Sequence, residues 1–149
     1  MQRRTLIQGV VLGVLSIFGT ASVALAEPGK VAPPAGKEGV VIQVSDDNPK
    51  TWGQALNVIR NIQKAYGKNK VDIELVAFGL GIGILKADSV MANRIEDTVA
   101  TGAKVYACEN TMRGFKLSKD DMNSKIGYVP AGVIEIIKKQ KAGWAIVRP

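Results

Sequence analysis

Short apolar runs rich in β-branched residues alternate with longer stretches of helical spacing, from Val40 to the end of the chain. Strands that alternate with helices in this way form βαβ units, whose crossovers are right-handed and whose strands lie parallel. The first run, 40–44, is apolar on both faces, which indicates a central, buried strand. The sequence therefore predicts an α/β fold: a three-layer α/β/α domain over 40–149 with a five-stranded, mainly parallel sheet. The other strand candidates are 71–78, 103–107, 126–129 and 144–147.

Three longer stretches, 49–66, 89–101 and 130–141, are predicted to be helices with one apolar face. Residues 45–48, Ser-Asp-Asp-Asn, precede the first of them and supply capping residues, and Pro49 suits its first turn. Asp46 and Asp47 are better explained by helix capping than by cation binding. A short capped helical turn is also predicted within 115–122. The side chains expected to face the sheet are Trp52, Leu56, Ile59, Ile62, Tyr66, Val90, Met91, Ile95, Val99, Val133, Ile136 and Ile137.

The chain has 149 residues and contains no histidine and a single cysteine, Cys108. The absence of histidine excludes Ser-His-Asp and Cys-His catalysis and any zinc site that contains histidine. One cysteine cannot form an intramolecular disulfide or a Cys-rich metal site, and no carboxylate cluster suggests another metal site. We therefore expect neither a metal nor a cofactor. The net charge of +7 comes from scattered basic residues without interleaved aromatic residues, so nucleic-acid binding is not predicted.

The first 26 residues have the pattern of an export signal. A basic pair, Arg3 and Arg4, precedes an apolar stretch, and 24–26 is typical of a cleavage site; the surroundings of the pair also resemble a twin-arginine signal. Alternatively, 6–26 is long enough to stay in the membrane as an anchor. Residues 27–39, rich in proline and glycine, are predicted to be a flexible linker. We expect a periplasmic domain without stable membrane insertion after signal cleavage.

Cys108 ends the predicted third strand, where the chain turns into a short helical segment. Asn110 and Thr111 are residue types that cap helices, so the thiol would face a helix N-terminus. Unpaired N–H groups and the helix dipole favour the reactive thiolate there, and nearby cations would add to this effect. The alternative is an inert, buried cysteine that packs as a small hydrophobic residue. The cations nearest in sequence are Lys104, Arg113 and Lys116.

A glycine-rich turn containing Gly79, Gly81 and Gly83 follows the second predicted strand. Glycine at every second position differs from the G-x-G-x-x-G pattern of dinucleotide-binding proteins. That pattern follows the first strand of its fold, whereas this turn follows the second. We expect these glycines to let the backbone pass close to a neighbouring element. Because the carboxyl ends of parallel strands share one edge of the sheet, this turn should lie beside Cys108 and contribute to a binding site.

The sequence around Cys108 is similar to the DsrE/DsrF-like family. The resemblance is carried by 107–114, Ala-Cys-Glu-Asn-Thr-Met-Arg-Gly, by the lysine- and aspartate-bearing loop after it, and by 129–133. It extends from about Val40 to Pro149. Family members are small α/β proteins that form homo- or hetero-oligomers, often trimers or hexamers. Several carry a persulfide on the cysteine that Cys108 matches, and Arg113-Gly114 matches the arginine-glycine pair that follows it.

The resemblance implies an exported sulfur carrier or thiol-exchange protein that uses Cys108, rather than a turnover enzyme. It also implies a homo-oligomer and an external sulfur donor or acceptor. The site residues would be Cys108, with Asn110, Thr111, Arg113 and the three glycines of the turn in binding roles. The alternative is a non-catalytic, oligomeric protein that binds a small ligand or serves assembly, in which the cysteine is structural.

Overall fold

All strands in the part of the chain that the computed structural model describes, residues 37–149, lie parallel in one sheet. They are β1 (Glu38–Val44), β2 (Val71–Ala77), β3 (Lys104–Cys108), β4 (Gly127–Val129) and β5 (Ala145–Val147). The order across the sheet is β4-β3-β2-β1-β5, so β1 pairs with β2 on one side and β5 on the other. The predicted α/β class and the five-stranded parallel sheet are confirmed.

Helices cover both faces of the sheet. They are α1 (Pro49–Tyr66), α2 (Ala92–Ala100), α3 (Glu109–Gly114) and α4 (Gly132–Lys141), and two 3-10 segments span Gly79–Leu85 and Lys119–Asp121. Successive strands from β1 to β4 are added on the same side of β1, and the last strand, β5, pairs with β1 on its other side. Because each crossover is right-handed, the first helices pack on one face and α4 packs on the other.

The alternation of side chains along the strands divides the core into two parts. Val40 and Ile42 of β1 pack with Leu56 and Ile59 of α1 on the first face. On the second face, α4 contributes one fully inward position, Ile136. The buried partners of Ile136 on this face are Val41, Val76 and Val129, with Trp144 and Ile146 partly buried around them.

A buried carboxylate, Glu74, lies on the second face of the sheet and is 1% exposed. Its Oε1 is 2.7 Å from the Lys139 ammonium of α4 and 3.9 Å from that of Lys104. Lys139 also lies 4.2 Å from the centroid of the Trp144 ring. A buried charge is costly without a partner, so this ion pair ties α4 to the middle of β2.

Helix α1 begins with one of the expected capping residues. Asn48 is the N-cap residue, its side chain accepts a hydrogen bond from the Lys50 N–H at 2.9 Å, and Pro49 takes the first helical position. The prediction that 45–48 supplies the cap and that Pro49 lies in the first turn is confirmed, but Asp46 and Asp47 themselves do not cap the helix. Asn48 has the position from which a side chain reaches the first free N–H groups, and the two aspartates lie one and two residues too early.

Four side chains that were predicted to face the sheet are exposed: Tyr66, Val90, Val133 and Ile137. Val90 precedes α2, which begins at Ala92, so the helical spacing assumed for it does not apply. Val133 and Ile137 lie on α4, which buries only a narrow stripe that contains Gly132 and Ile136. Tyr66 is the last residue of α1.

Several boundaries also differ from the predicted ones. β1 begins at Glu38, inside the segment expected to be linker, and the glycine-rich turn forms a 3-10 segment. Asn110 and Thr111 lie in the first turn of α3 and do not cap it, because Cys108 has the N-cap position. The predicted export signal and most of the linker lie outside the described residues. None of the helices in 37–149 combines the length and apolarity needed to cross a membrane.

Candidate thiol site

Cys108 is the last residue of β3 and the residue from which α3 begins. Its extended backbone, with φ −77° and ψ 112°, changes the chain direction from strand to helix without strain. The side chain is only 4% exposed. The thiol is therefore at the carboxyl edge of the sheet, as predicted, but lies beneath the surface.

The surroundings of Cys108 favour its thiolate. Burial raises the pKa of the thiol, but this effect is outweighed by hydrogen bonds from the Thr111 hydroxyl and from the backbone N–H groups of Gly132, Thr111 and Asn110. The pKa of Cys108 therefore lies below its ordinary value. These N–H groups belong to the first turns of α3 and α4, so both turns contribute to the lowered pKa of the thiol.

Thr111 connects the thiol to the glycine-rich segment. Its Oγ1 accepts a hydrogen bond from the Gly79 N–H at 3.0 Å, which leaves the hydroxyl proton to be donated to the sulfur. The Asn110 N–H is shared, since it also donates to the Pro130 carbonyl at 3.2 Å, and it joins the start of α3 to the loop before α4. The elements around Cys108 are thus held to one another by hydrogen bonds.

Two of the three cations that were expected to lower the pKa of Cys108 have other partners. The Arg113 guanidinium donates to the Asn110 side chain within α3, and Lys104 lies near Glu74. Neither these residues nor Lys116 is among the causes of the Cys108 shift. Hydrogen-bond donors of the chain itself, rather than full positive charges, therefore stabilise the thiolate in the described domain.

The three glycines of the 3-10 segment divide between two surroundings. Gly79 has a φ of +55° and donates to Thr111, so it belongs to the thiol site. A Cβ at Gly81 would lie 2.4 Å from the Val44 carbonyl oxygen, and one at Gly83 would lie 2.9 Å from the Trp52 ring. Gly81 and Gly83 therefore let the segment pack closely against β1 and α1, which is the close approach expected of these glycines. Neither of them borders Cys108.

Sequence reasoning missed Gly132 as a member of the site. A Cβ at this position would lie 3.1 Å from the Phe78 Cβ, so the absence of a side chain lets the first turn of α4 approach the end of β2. This approach brings the Gly132 N–H to the Cys108 sulfur. The available signal was the position of Gly132, just after the fourth predicted strand and therefore at the same edge of the sheet as Cys108.

Comparison with known proteins identifies the family. The model of the DsrE/DsrF-like family matches residues 41–149. The chain belongs to the DsrE/DsrF-like family. The match covers every strand and helix described above except the first residues of β1. A search of curated proteins found no match.

Solved structures similar to this DsrE/DsrF-like chain include three bacterial and archaeal proteins. MTH1491 from Methanobacterium thermoautotrophicum, a protein of unknown function, is 28% identical with a TM-score of 0.72, and the match covers 75% of this chain and 99% of that one. BT1422 from Bacteroides thetaiotaomicron, also of unknown function, is 19% identical with a TM-score of 0.63, over 75% and 95%. The ychN protein from E. coli is 11% identical with a TM-score of 0.62, over 76% and 99%. The last two similarities concern the fold alone.

Proposed function

We propose that this DsrE/DsrF-like chain is a thiol carrier that accepts sulfur on Cys108 and passes it to a partner. The observation that supports this most directly is the convergence of the Thr111 hydroxyl and three backbone N–H groups on the sulfur, with a pKa below the ordinary value. A thiolate is the form that attacks a sulfur atom. The chain has no histidine to act as a general base, so this stabilisation by hydrogen bonds supplies the nucleophile.

The transfer step needs only a donor that carries a persulfide. The Cys108 thiolate attacks the terminal sulfur of the donor persulfide and forms a new S–S bond with it. The S–S bond of the donor breaks, its electron pair leaves with the donor cysteine sulfur as a thiolate, and no net oxidation occurs. The proton of the terminal sulfur passes to solvent. The N–H groups that stabilise the thiolate would also stabilise the anionic persulfide that results.

Discharge of the carrier requires a second molecule. Cys108 is the only cysteine of the chain, so no resolving thiol is available within the same molecule. The acceptor must therefore present its own thiolate to the terminal sulfur. This supports a carrier with external donor and acceptor proteins rather than an enzyme that completes a catalytic cycle alone.

We also propose that the carrier works in the periplasm as a homo-oligomer, a trimer or a hexamer. The export-signal pattern of the first 26 residues supports the location, and family resemblance supports the assembly. Light scattering at micromolar concentration tests the assembly, and a monomer mass would contradict it. Fractionation of cells expressing the full chain tests the location, and recovery in the cytoplasm would contradict it.

One observation favours the alternative of a structural cysteine in a non-catalytic binding or assembly protein: the Cys108 side chain is 4% exposed. The two functions are separated by incubating the full chain with a small-molecule persulfide donor and measuring intact mass. A carrier gains the mass of one sulfur atom, which a thiol reductant removes, and Cys108→Ser gains none. A folded protein that gains no sulfur over the pH range in which free cysteine reacts would support the structural role.

A further inference from the structure

A solvent-open groove lies on the α1 side of the Gly79–Leu85 segment and has a volume of about 530 Å³; its lining does not include Cys108 or the residues that lower its pKa. Its floor is formed by Trp52, Ile82 and Gly83. The indole is fixed in place because its Nε1 donates a hydrogen bond of 2.8 Å to the Asp46 carbonyl. The volume lies within the range of roughly 300–1,000 Å³ that is usual for small-molecule sites.

The rim of the groove is apolar and unusually exposed. Leu80, Val90 and Phe115 line it, and their exposed fractions are 59%, 76% and 50%. These are three of the seven large hydrophobic side chains that the described residues leave exposed. None of the three contributes to the core, so their position around a recessed indole is unexplained by folding.

The charge of the groove is opposite in sign to that of the protein. Its charged lining residues are Asp47, Lys86 and Asp88, and Lys86 forms an ion pair of 3.2 Å with Asp88. The hydrogen bonds of Ser118 lower the pKa of Asp121, and Lys86 lowers it further, so Lys86 has a second acidic neighbour. Asp47 has no ion pair within 37–149. The groove therefore offers one uncompensated carboxylate in a chain of net charge +7.

We infer that this groove binds a free organic ammonium ion, with an apolar body about the size of one ring. The body would lie on the Trp52 floor between Leu80 and Phe115, and the ammonium group would lie against Asp47. The aromatic rings add cation–π attraction to the ion pair. The inference is independent of sulfur chemistry at Cys108, because none of these residues is among those that shift the thiol pKa.

The test is a titration of the ¹⁵N-labelled full chain, followed by NMR, with phenethylammonium as the probe. The Trp52 indole N–H should shift with saturation, and the Trp144 indole, packed on the other face of the sheet, should not. 2-Phenylethanol has the same ring without the charge and should bind about 1.5- to 5-fold more weakly, the range expected from an exposed ion pair. Nα-acetyl-lysine methylamide represents a lysine of a partner protein and should bind more weakly than phenethylammonium.

Two variants assign the contacts. Asp47→Asn should remove the preference for the ammonium probe, whereas Asp97→Asn, an exposed carboxylate on α2 outside the groove, should keep it. Val90→Ala should weaken both ring-containing probes, and its 76% exposure means that the fold is unaffected. Equal affinity for phenethylammonium and 2-phenylethanol, equal shifts of both indoles, or no saturation in the millimolar range would overturn the inference. Tightest binding by the lysine derivative would assign the groove to a partner protein and overturn it as well.

Discussion

The hydroxyl of Thr111 should control the reactivity of Cys108, and Thr111→Val tests this because valine has nearly the same shape without the donor. The hydroxyl is bound at its oxygen by the Gly79 N–H and donates to the sulfur. A hydrogen bond to a charged group contributes about 1.5–3 kcal/mol. Its loss should reduce the thiolate population, at a pH below the thiol pKa, by roughly 10- to 150-fold.

The expected change in rate is smaller than the change in population. A thiolate of higher pKa is intrinsically more nucleophilic, with a Brønsted coefficient of about 0.4–0.5, and this offsets close to half of the logarithmic loss. The second-order rate constant for alkylation by iodoacetamide should therefore fall roughly 4- to 15-fold at low pH. The pH midpoint of the alkylation profile should move upward at the same time.

The matched control is Thr111→Ser, which keeps the hydroxyl and should retain both the midpoint and the rate. Thr111→Val also leaves the Gly79 N–H without its acceptor, so its free energy of unfolding should fall by about 1–3 kcal/mol. Circular dichroism at each pH confirms that the folded protein is being alkylated. If valine and serine variants gave the same midpoint, the hydroxyl would have no part in stabilising the thiolate, and this reasoning would be refuted.

Three further changes test the site and its support. The pKa of Cys108 is lowered in the folded protein, so the unfolded state keeps the thiol proton to higher pH. The free energy of unfolding should therefore rise with pH from below the folded pKa up to about pH 8.5. Urea denaturation at a series of pH values measures this rise, and Cys108→Ala should abolish it. Gly81→Ala should lower the urea midpoint by an amount that corresponds to about 1–3 kcal/mol, because its Cβ meets the end of β1, whereas Gly114→Ala, with open space around it, should not. Lys139→Met should lower the free energy of unfolding by about 3 kcal/mol because it leaves the Glu74 carboxylate buried without its nearest partner. The control is Lys138→Met, a change at the exposed neighbour. Equal thermal midpoints for the two variants would contradict the importance of the pair.

The sheet could be predicted from the sequence because its buried strands require near-continuous apolar runs. Residues 40–44 and 71–78 carry this pattern, and the helical stretches between the runs fix the parallel direction. The orientation of individual side chains was less predictable. Val90 fits a helical pattern in sequence, but the helix starts after it, and the structure places it on the rim of the groove.

The location of the thiol was also predictable, since Cys108 follows an apolar run and strand ends share one edge of the sheet. The identity of its hydrogen-bond donors was not. The Gly132 N–H reaches the sulfur only because α4 packs on the second face and approaches Phe78. This placement depends on the order of the strands, which cannot be predicted from the residues near Gly132. Arg113 is close to Cys108 in sequence, but its guanidinium bonds to Asn110 within the same helix.

The first turn of α4 has two effects on Cys108 that oppose each other. It contributes the Gly132 N–H that helps lower the thiol pKa, and it is part of the structure in which Cys108 is buried. A partner that reaches the sulfur by displacing this turn therefore removes one of the donors that make the sulfur nucleophilic. Greater access to the sulfur would thus be accompanied by a higher thiol pKa. The pKa stays low in the complex only if the partner places a hydrogen-bond donor of its own where the Gly132 N–H was.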